Sequence, residues 1–320
     1  SVTLTDFPDW SSVVAWALPH YRIGEADRTA LKAAVDEIAD TGDEEMQVLR
    51  VIRFVQDEIR YLGMEQGLGA FVPQAPGRVL DQRFGDCKDK SLLLAGLLRE
   101  LGVPAHPVLV NSANGRNLDK ELPTPYAFDH CMVSFTFDGD QHFVDPTFFN
   151  QGGDLARLRC PPYIRGLVLA EGQDGLTVIP RAPGPTQEIL YHFAMEDIGG
   201  PVSMTVTTTL EGFAADNRRG SQKTISADNL ELSYLHYYRQ VFGGIRLDGP
   251  IEVQDEGRDS DNRIVVTESY VIDDFWQYTD SDSIALMVEL FPLEMVEYLD
   301  LPASSRRTMP YYLGPPARVE

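Results

Sequence analysis

The stretch that most constrains this 320-residue chain is a run of leucines at helical spacing. Leu92, Leu93, Leu94, Leu97, Leu98 and Leu101 supply the apolar face of a helix, and Gly102 with Pro104 supplies its stop. Directly before it stands Arg83-Phe84-Gly85-Asp86-Cys87-Lys88-Asp89-Lys90-Ser91. Cys87 therefore falls at a helix N-terminus, facing unpaired backbone N–H groups and the positive end of the helix dipole. Both favour the thiolate, the nucleophilic form of the side chain. A lone cysteine before a helix is more often a small buried hydrophobe. Here the flanking Asp86, Lys88, Asp89 and Lys90 argue against a purely apolar surround.

Upstream, residues 8–62 read as mostly helical, with Asp27 and Asp43 as caps of helices over 28–40 and 44–61. Residues 63–77 are rich in Gly and Pro and read as a loop, followed by a short helix over 77–83. From 104 the pattern turns to strands. Residues 112–127 are polar with two prolines and read as a loop that covers a site. Residues 130–137 and 140–147 are β-rich and flank Asp138-Gly139, a strong two-residue hairpin signal.

That turn fixes a register. With Asp138 and Gly139 at the tip, Phe137 pairs with Asp140, and counting back puts Met132 opposite Asp145 and His130 opposite Thr147. His130 and Asp145 then share one sheet face as diagonal neighbours, roughly 7–8 Å apart at their Cα atoms. A one-residue slip would separate them onto opposite faces. Cys87, His130 and Asp145, in that order, are the raw material of a thiol catalytic triad: nucleophile, base and orienting acid. Taken singly, His130 and Asp145 have ordinary structural readings, as a hydrogen-bonded surface histidine and a turn aspartate. His142 falls on the other hairpin face, His106 lies inside a buried strand, and His20, His192 and His236 have no partner in view. Cys131 alternates away from His130 and reads as core.

Residues 151–185 are Gly/Pro-rich, a candidate linker with a strand near 164–170. Beyond it, 188–195, 202–210, 251–254 and 263–272 read as strands around a helical insert over 226–242. The expected organisation is a catalytic region over 1–185 and a mostly β, sandwich-like domain over 186–320. Tyr234, Tyr237 and Tyr238 read as helix packing in preference to a binding patch.

A net charge of −22 argues against nucleic acid or an anionic membrane as partner. No apolar run reaches about 18 residues, so no membrane insertion is expected. Three cysteines do not make a disulfide framework, although Cys131–Cys160 is a conceivable bridge. No CxxC, HExxH or calcium-loop spacing occurs, and neither a metal nor a cofactor is expected.

The segment Gly85-Asp86-Cys87-Lys88-Asp89-Lys90-Ser91, with the leucine helix and Leu101-Gly102-Val103-Pro104-Ala105 after it, resembles the nucleophile helix of the bacterial transglutaminase-like superfamily. Asp129-His130 and Val144-Asp145-Pro146-Thr147 resemble that family's His and Asp segments, and Ile59-Arg60-Tyr61 and Gly67-Leu68-Gly69 also fit it. The strong resemblance covers residues 43–150. At the flanks, residues 7–16 and 301–316 resemble segments of multidomain proteins that carry a β domain called DUF3857, which implies a chain cut from a longer protein. The resemblance implies an α+β, papain-like core with helices packed on an antiparallel sheet. It carries Cys87, His130 and Asp145 over as catalytic residues and suggests an extracytoplasmic location. Asp129 stands where the family more often has Asn, and a carboxylate there would favour a protonated imidazole. The expected activity is acyl transfer on peptide or isopeptide amides through a thioester, with hydrolysis favoured over transfer to an amine. The alternative is a catalytically silent binding or scaffolding protein that uses its β domain. Oxyanion stabilisation would come from the Cys87 N–H, with Gln74 or Tyr61 as candidate second donors.

Overall fold

The computed structural model describes residues 4–40, 42–63, 67–158, 160–180, 186–222, 227–259, 261–278, 286–287 and 317–319. The chain divides into two compact units, Ser1–Ala182 and Pro183–Glu320. Residues 301–316, which carry part of the flanking resemblance, lie outside the described residues. Among those described, no helix is long and apolar enough to cross a membrane.

The first unit opens with helices α1 (Trp10–Ala17), α2 (Glu25–Ile38) and α3 (Glu44–Glu58). The short strand β1 (Arg60–Tyr61), helix α4 (Pro76–Gln82) and strand β2 (Phe84–Gly85) lead into helix α5 (Cys87–Glu100). Strands β3 (Ala105–Val110), β4 (His130–Phe137), β5 (Asp140–Val144), β6 (Arg165–Val168) and β7 (Thr177–Val178) follow. They form one antiparallel sheet in the order β5-β4-β3-β6-β7. Helices packed on an antiparallel sheet are the α+β core expected.

Helix α5 organises this unit. Its start is set by Asp86, whose carboxylate accepts from the N–H groups of Lys88 and Asp89, while Asp89 accepts in return from the Asp86 N–H. Such a reciprocal cap satisfies backbone donors that a helix start otherwise leaves bare. Leu93, Leu94, Leu97 and Leu98 pack with Leu31 of α2, Ile52 and Val55 of α3, and Val133 and Phe135 of β4. Leu92 joins Ala17, Tyr21 and Cys131 on another side. The helix is therefore buried all round, where its leucine pattern predicts one buried face.

Its charged first turn is buried as well, because each group is partnered. Lys88 pairs with Asp86, and Asp89 accepts from the backbone and side-chain amides of Gln74 at 2.7 and 3.0 Å. Lys90 donates to the carbonyls of Ile59 at 2.6 Å and Gln56 at 3.3 Å, near the end of α3. Ser91 donates to the Cys131 carbonyl at 3.0 Å. Burial of an unpaired ammonium or carboxylate would be prohibitive; burial with these partners is not. Gly85 makes the turn into α5 possible, since a Cβ there would lie 2.7 Å from Asp89 Cβ.

The β4–β5 hairpin has the register that its turn dictates, running from Phe137↔Asp140 to Val133↔Val144. Asp138 and Gly139 both have positive φ, 50° and 87°, the backbone of a type I′ turn. Two local expectations change. The cap of α2 is Gly24, and Asp27 instead accepts from the Gly77 N–H at 3.0 Å, joining α2 to α4. The stretch after 151, read as linker-like, packs into the first unit, with Leu155, Leu158, Tyr163, Leu167, Leu169 and Ile179 buried.

The second unit contains β8 (Gln187–Met195), β9 (Val202–Glu211), α6 (Phe213–Gln222), α7 (Ala227–Tyr238), β10 (Ile245–Leu247), β11 (Glu252–Asp255) and β12 (Arg263–Ile272). A two-stranded pair, β13 (Gln277–Tyr278) with β14 (Leu286–Met287), and β15 (Ala317–Val319) complete it. The main sheet is six-stranded, ordered β10-β12-β9-β8-β15, with β11 also on β12. Alternation buries Ile264, Val266, Tyr270 and Ile272 of β12 on one face with Val202, Met204 and Val206 of β9. Tyr238 and Leu235 of α7 and Ala215 of α6 pack there. The unit is β-rich as expected, but among the described residues the layer over this face is helical, where a sandwich would place a second sheet. Helix α6 escapes an apolar-pattern reading because polar bonds anchor it. Arg219 Nε and Nη2 each donate to Asp255 at 2.9 Å, and Asn262 Nδ2 donates to Asp216 at 3.1 Å.

Candidate active site

Three elements of the first unit bring the three predicted residues together. Cys87 is the first residue of α5, His130 the first of β4, and Asp145 follows the last residue of β5. His130 Nε2 lies 2.7 Å from Asp145 Oδ2, the diagonal contact that the hairpin register requires. Cys87 and His130 line one cleft of about 420 Å³.

Asp145 is 1% exposed, and its oxygens are fully engaged. Oδ2 also accepts from the Tyr163 hydroxyl at 2.5 Å. Oδ1 accepts from the Thr147 N–H at 2.9 Å and the Thr147 hydroxyl at 2.6 Å. Its backbone carbonyl accepts from Gln56 Nε2 at 3.1 Å. Burial alone would raise the Asp145 pKa, but the bond to His130 and its charge, with the bonds from Thr147 and Tyr163, prevail and lower it. An ionised carboxylate can only accept, so the proton of this contact resides on His130 Nε2. Nδ1 is then the ring nitrogen left for the thiol.

The opposing influences on His130 resolve the other way. Burial would lower its pKa; hydrogen bonds and charge from Asp145 and Cys87 outweigh burial and raise it to about 10. Burial and the neighbouring Asp145 carboxylate push the Tyr163 phenol well up, so it stays a donor. Asp129, next in sequence to His130, bonds elsewhere. Its carboxylate accepts from the N–H and hydroxyl of Ser112 at 2.7 and 2.9 Å.

Neither candidate second oxyanion donor lines the cleft. The Gln74 side chain is committed to Asp89, and Tyr61 stands on β1. Cys131 is buried core, its thiol pushed up by burial, and Cys87, Cys131 and Cys160 are not joined in disulfides. His142 stacks on Phe135 on the opposite hairpin face. The loop over 112–127 does reach the site, since Pro125 and Tyr126 help to line the cleft, with Phe128 just beyond it.

Sequence reasoning missed Tyr163 and Thr147 as partners of Asp145. Thr147 had a local signal, a hydroxyl two residues beyond an aspartate, where it closes an Asx-type turn. Tyr163 had none, being 18 residues further on in a stretch read as linker-like.

Residues 32–146 match the family model of the transglutaminase-like superfamily. The segment that carries Cys87, His130 and Asp145 is thus a transglutaminase-like core. Among solved structures, the chain is similar to a candidate protease from Parabacteroides distasonis, at 12% identity and a TM-score of 0.45, over 83% of this chain and 53% of that one. It is similar to a candidate cysteine protease from Cytophaga hutchinsonii, at 16% identity and a TM-score of 0.30, over 46% and 45%. It is also similar to the periplasmic domain of TgpA from Pseudomonas aeruginosa, at 19% identity and a TM-score of 0.29, over 42% and 47%. The chain spans about half the length of each of these structures. No curated protein matches it.

Proposed function

We propose that the first unit is a thiol acyl-transfer enzyme acting on peptide or isopeptide amides, with Cys87 as nucleophile, His130 as base and Asp145 as orienting acid. One observation carries the reading: Cys87, at a capped helix N-terminus, shares a cleft with a histidine whose far ring nitrogen is held 2.7 Å from a buried carboxylate. His130 accepts the thiol proton and is stabilised as imidazolium by Asp145. Cys87 Sγ adds to the amide carbon, and the oxyanion is met by the Cys87 backbone N–H. Collapse breaks the C–N bond, His130 protonates the departing amine, and a thioester on Cys87 remains. Water, deprotonated by His130, then releases the acid and restores the thiol.

We favour hydrolysis over transfer to an amine; the mouth of the cleft, where Tyr126 is 81% exposed, admits either acceptor, and the products separate the two. An extracytoplasmic setting and membership of a longer, DUF3857-bearing protein belong to the same proposal and rest on the sequence resemblance.

The test is to incubate the protein with a mixture of peptide amides, with and without an added primary amine, and follow products by mass spectrometry. Release of acid without amine, together with an acyl adduct on Cys87 that is absent in Cys87→Ala, is the expected result. Amine incorporation with ammonia release would make it a transglutaminase. Equal product from the wild type and Cys87→Ala would remove the thiol mechanism.

A further inference from the structure

The walls of the cleft beside Cys87 are aromatic, and the proposed mechanism makes no use of them. Trp16 and Phe71 meet edge to face at 5.7 Å, and Phe71 and Tyr126 do the same at 5.1 Å. Phe128 closes another side and is itself braced by Trp10 at 5.5 Å. These rings come from separate parts of the chain, namely α1, the loop after 70 and the loop over 112–128. Tyr126 is held outward on a short helical turn, Pro125–Ala127, whose Thr124 hydroxyl accepts from the Tyr126 N–H. Pro125 beneath it is buried. Tyr126 is 81% exposed at the mouth of the cleft that contains the nucleophile, and its ring, resting edge to face on Phe71, extends the aromatic wall outward.

The charged groups in the cleft wall each have a partner of their own. Lys88 is paired with Asp86, His130 with Asp145, and Asp129 is bonded by Ser112. The cleft wall is therefore mainly aromatic; the Asp129 carboxylate keeps its charge, since Ser112 supplies neutral hydrogen bonds, and a cationic substrate group is the competing occupant that the experiment includes. Its volume of about 420 Å³ suits one or two amino-acid side chains.

We infer that this cleft receives an uncharged aromatic or large aliphatic side chain of the substrate beside the amide that Cys87 attacks, with Phe71 and Tyr126 as the residues that set the preference. The inference rests on the proposed thiol chemistry and adds the substrate class to it. Desolvation of an apolar side chain among Trp16, Phe71, Tyr126 and Phe128 supplies the affinity, and edge-to-face ring contacts favour an aromatic one.

The experiment compares alkylation of Cys87 by iodoacetamide with that by three N-substituted forms, carrying a benzyl, a carboxymethyl or a trimethylammonioethyl group. In each case the Cys87 Sγ–C bond forms, the C–I bond breaks and iodide leaves. Rates at the Cys87 peptide are read by mass spectrometry and expressed relative to the parent reagent. The benzyl form should react at least about tenfold faster than the parent at sub-saturating concentration. That ratio should fall toward one in Tyr126→Ala and in Phe71→Ala. Because Tyr126 is exposed, its truncation does not disturb the core. No benzyl advantage, or a larger advantage for the trimethylammonium form, would overturn the inference while leaving a reactive thiol intact. If Cys87 reacts with none of the reagents, the thiol-enzyme reading fails and the cleft is tested alone. N-acetylphenylalaninamide titrated into Cys87→Ala should then change the tryptophan emission saturably, in a part that Trp16→Phe removes, and do so more weakly after Tyr126→Ala. No change in either protein would end the inference too.

Discussion

Tyr163 donates its hydroxyl to Asp145 Oδ2 across 2.5 Å, onto the same oxygen that holds His130 Nε2 at 2.7 Å. The phenol is buried, and its ring lies 5.6 Å from the imidazole. With Thr147 on the other oxygen, the carboxylate cannot rotate away from His130 without breaking charge-assisted bonds. Tyr163 is thus a positioning residue for the proposed base.

Tyr163→Phe keeps the ring and removes one charged hydrogen bond, so amide turnover should fall about tenfold. A second readout follows from titration. Asp145 is held low in the folded state, so its contribution to stability is present above its unfolded pKa of about 3.9 and is lost as pH falls through the folded value. Without the Tyr163 hydroxyl the folded value rises, and acid unfolding should begin at a higher pH. An acid limb unchanged in near-ultraviolet circular dichroism would contradict this.

His130 predicts the opposite sign. Its folded pKa of about 10 exceeds the unfolded value, so its stabilisation is complete below the unfolded pKa and is lost as pH rises through about 10. Urea unfolding of the wild type and His130→Gln should differ most below about pH 6.5 and converge in alkali. A gap that widens with rising pH would refute the ion-pair account.

Gly115 is predicted to be intolerant of any side chain. A Cβ there would stand 1.9 Å from the Tyr163 carbonyl oxygen, which is backbone and cannot swing aside. Gly115→Ala should cost about 1–3 kcal/mol in urea unfolding and, by displacing Tyr163, reduce amide turnover as well. Wild-type stability in this variant would mean that Gly115 does not pack against the Tyr163 carbonyl.

Gly139 differs in kind. No atom lies within 4 Å of its ideal Cβ, yet its φ is 87°. Gly139→Ala should cost about 1 kcal/mol through backbone strain alone. The hairpin pairing should survive, because the cross-strand contacts from Phe137 to Val133 are untouched. The check is urea unfolding together with amide turnover, the first reduced and the second near normal.

What could be read from the sequence was local. The Asp138-Gly139 turn fixed the pairing of two strands and so put His130 beside Asp145, because hairpin register follows from turn chemistry. The leucines of α5 and its terminal Gly102 and Pro104 marked a helix for similar reasons. What could not be read needed partners far along the chain. Lys90 is buried because the carbonyls of Gln56 and Ile59 receive it, and Asp89 because Gln74 does. Asp27 has the local pattern of a cap, but its partner, the Gly77 N–H, is 50 residues away. Tyr163 and helix α6 were missed for the same reason: polar bonds across the fold leave no hydrophobic period to detect.

The most direct test of the central claim is the rate of Cys87 alkylation by iodoacetamide at about pH 6, where a free thiol is almost fully protonated, in the wild type and in His130→Ala. The account predicts labelling at Cys87 in the wild type that falls at least about tenfold in the variant, because His130 holds the thiol proton. Labelling absent from the native wild type, or equal in the two proteins, would contradict it and leave the chain better explained as a binding module.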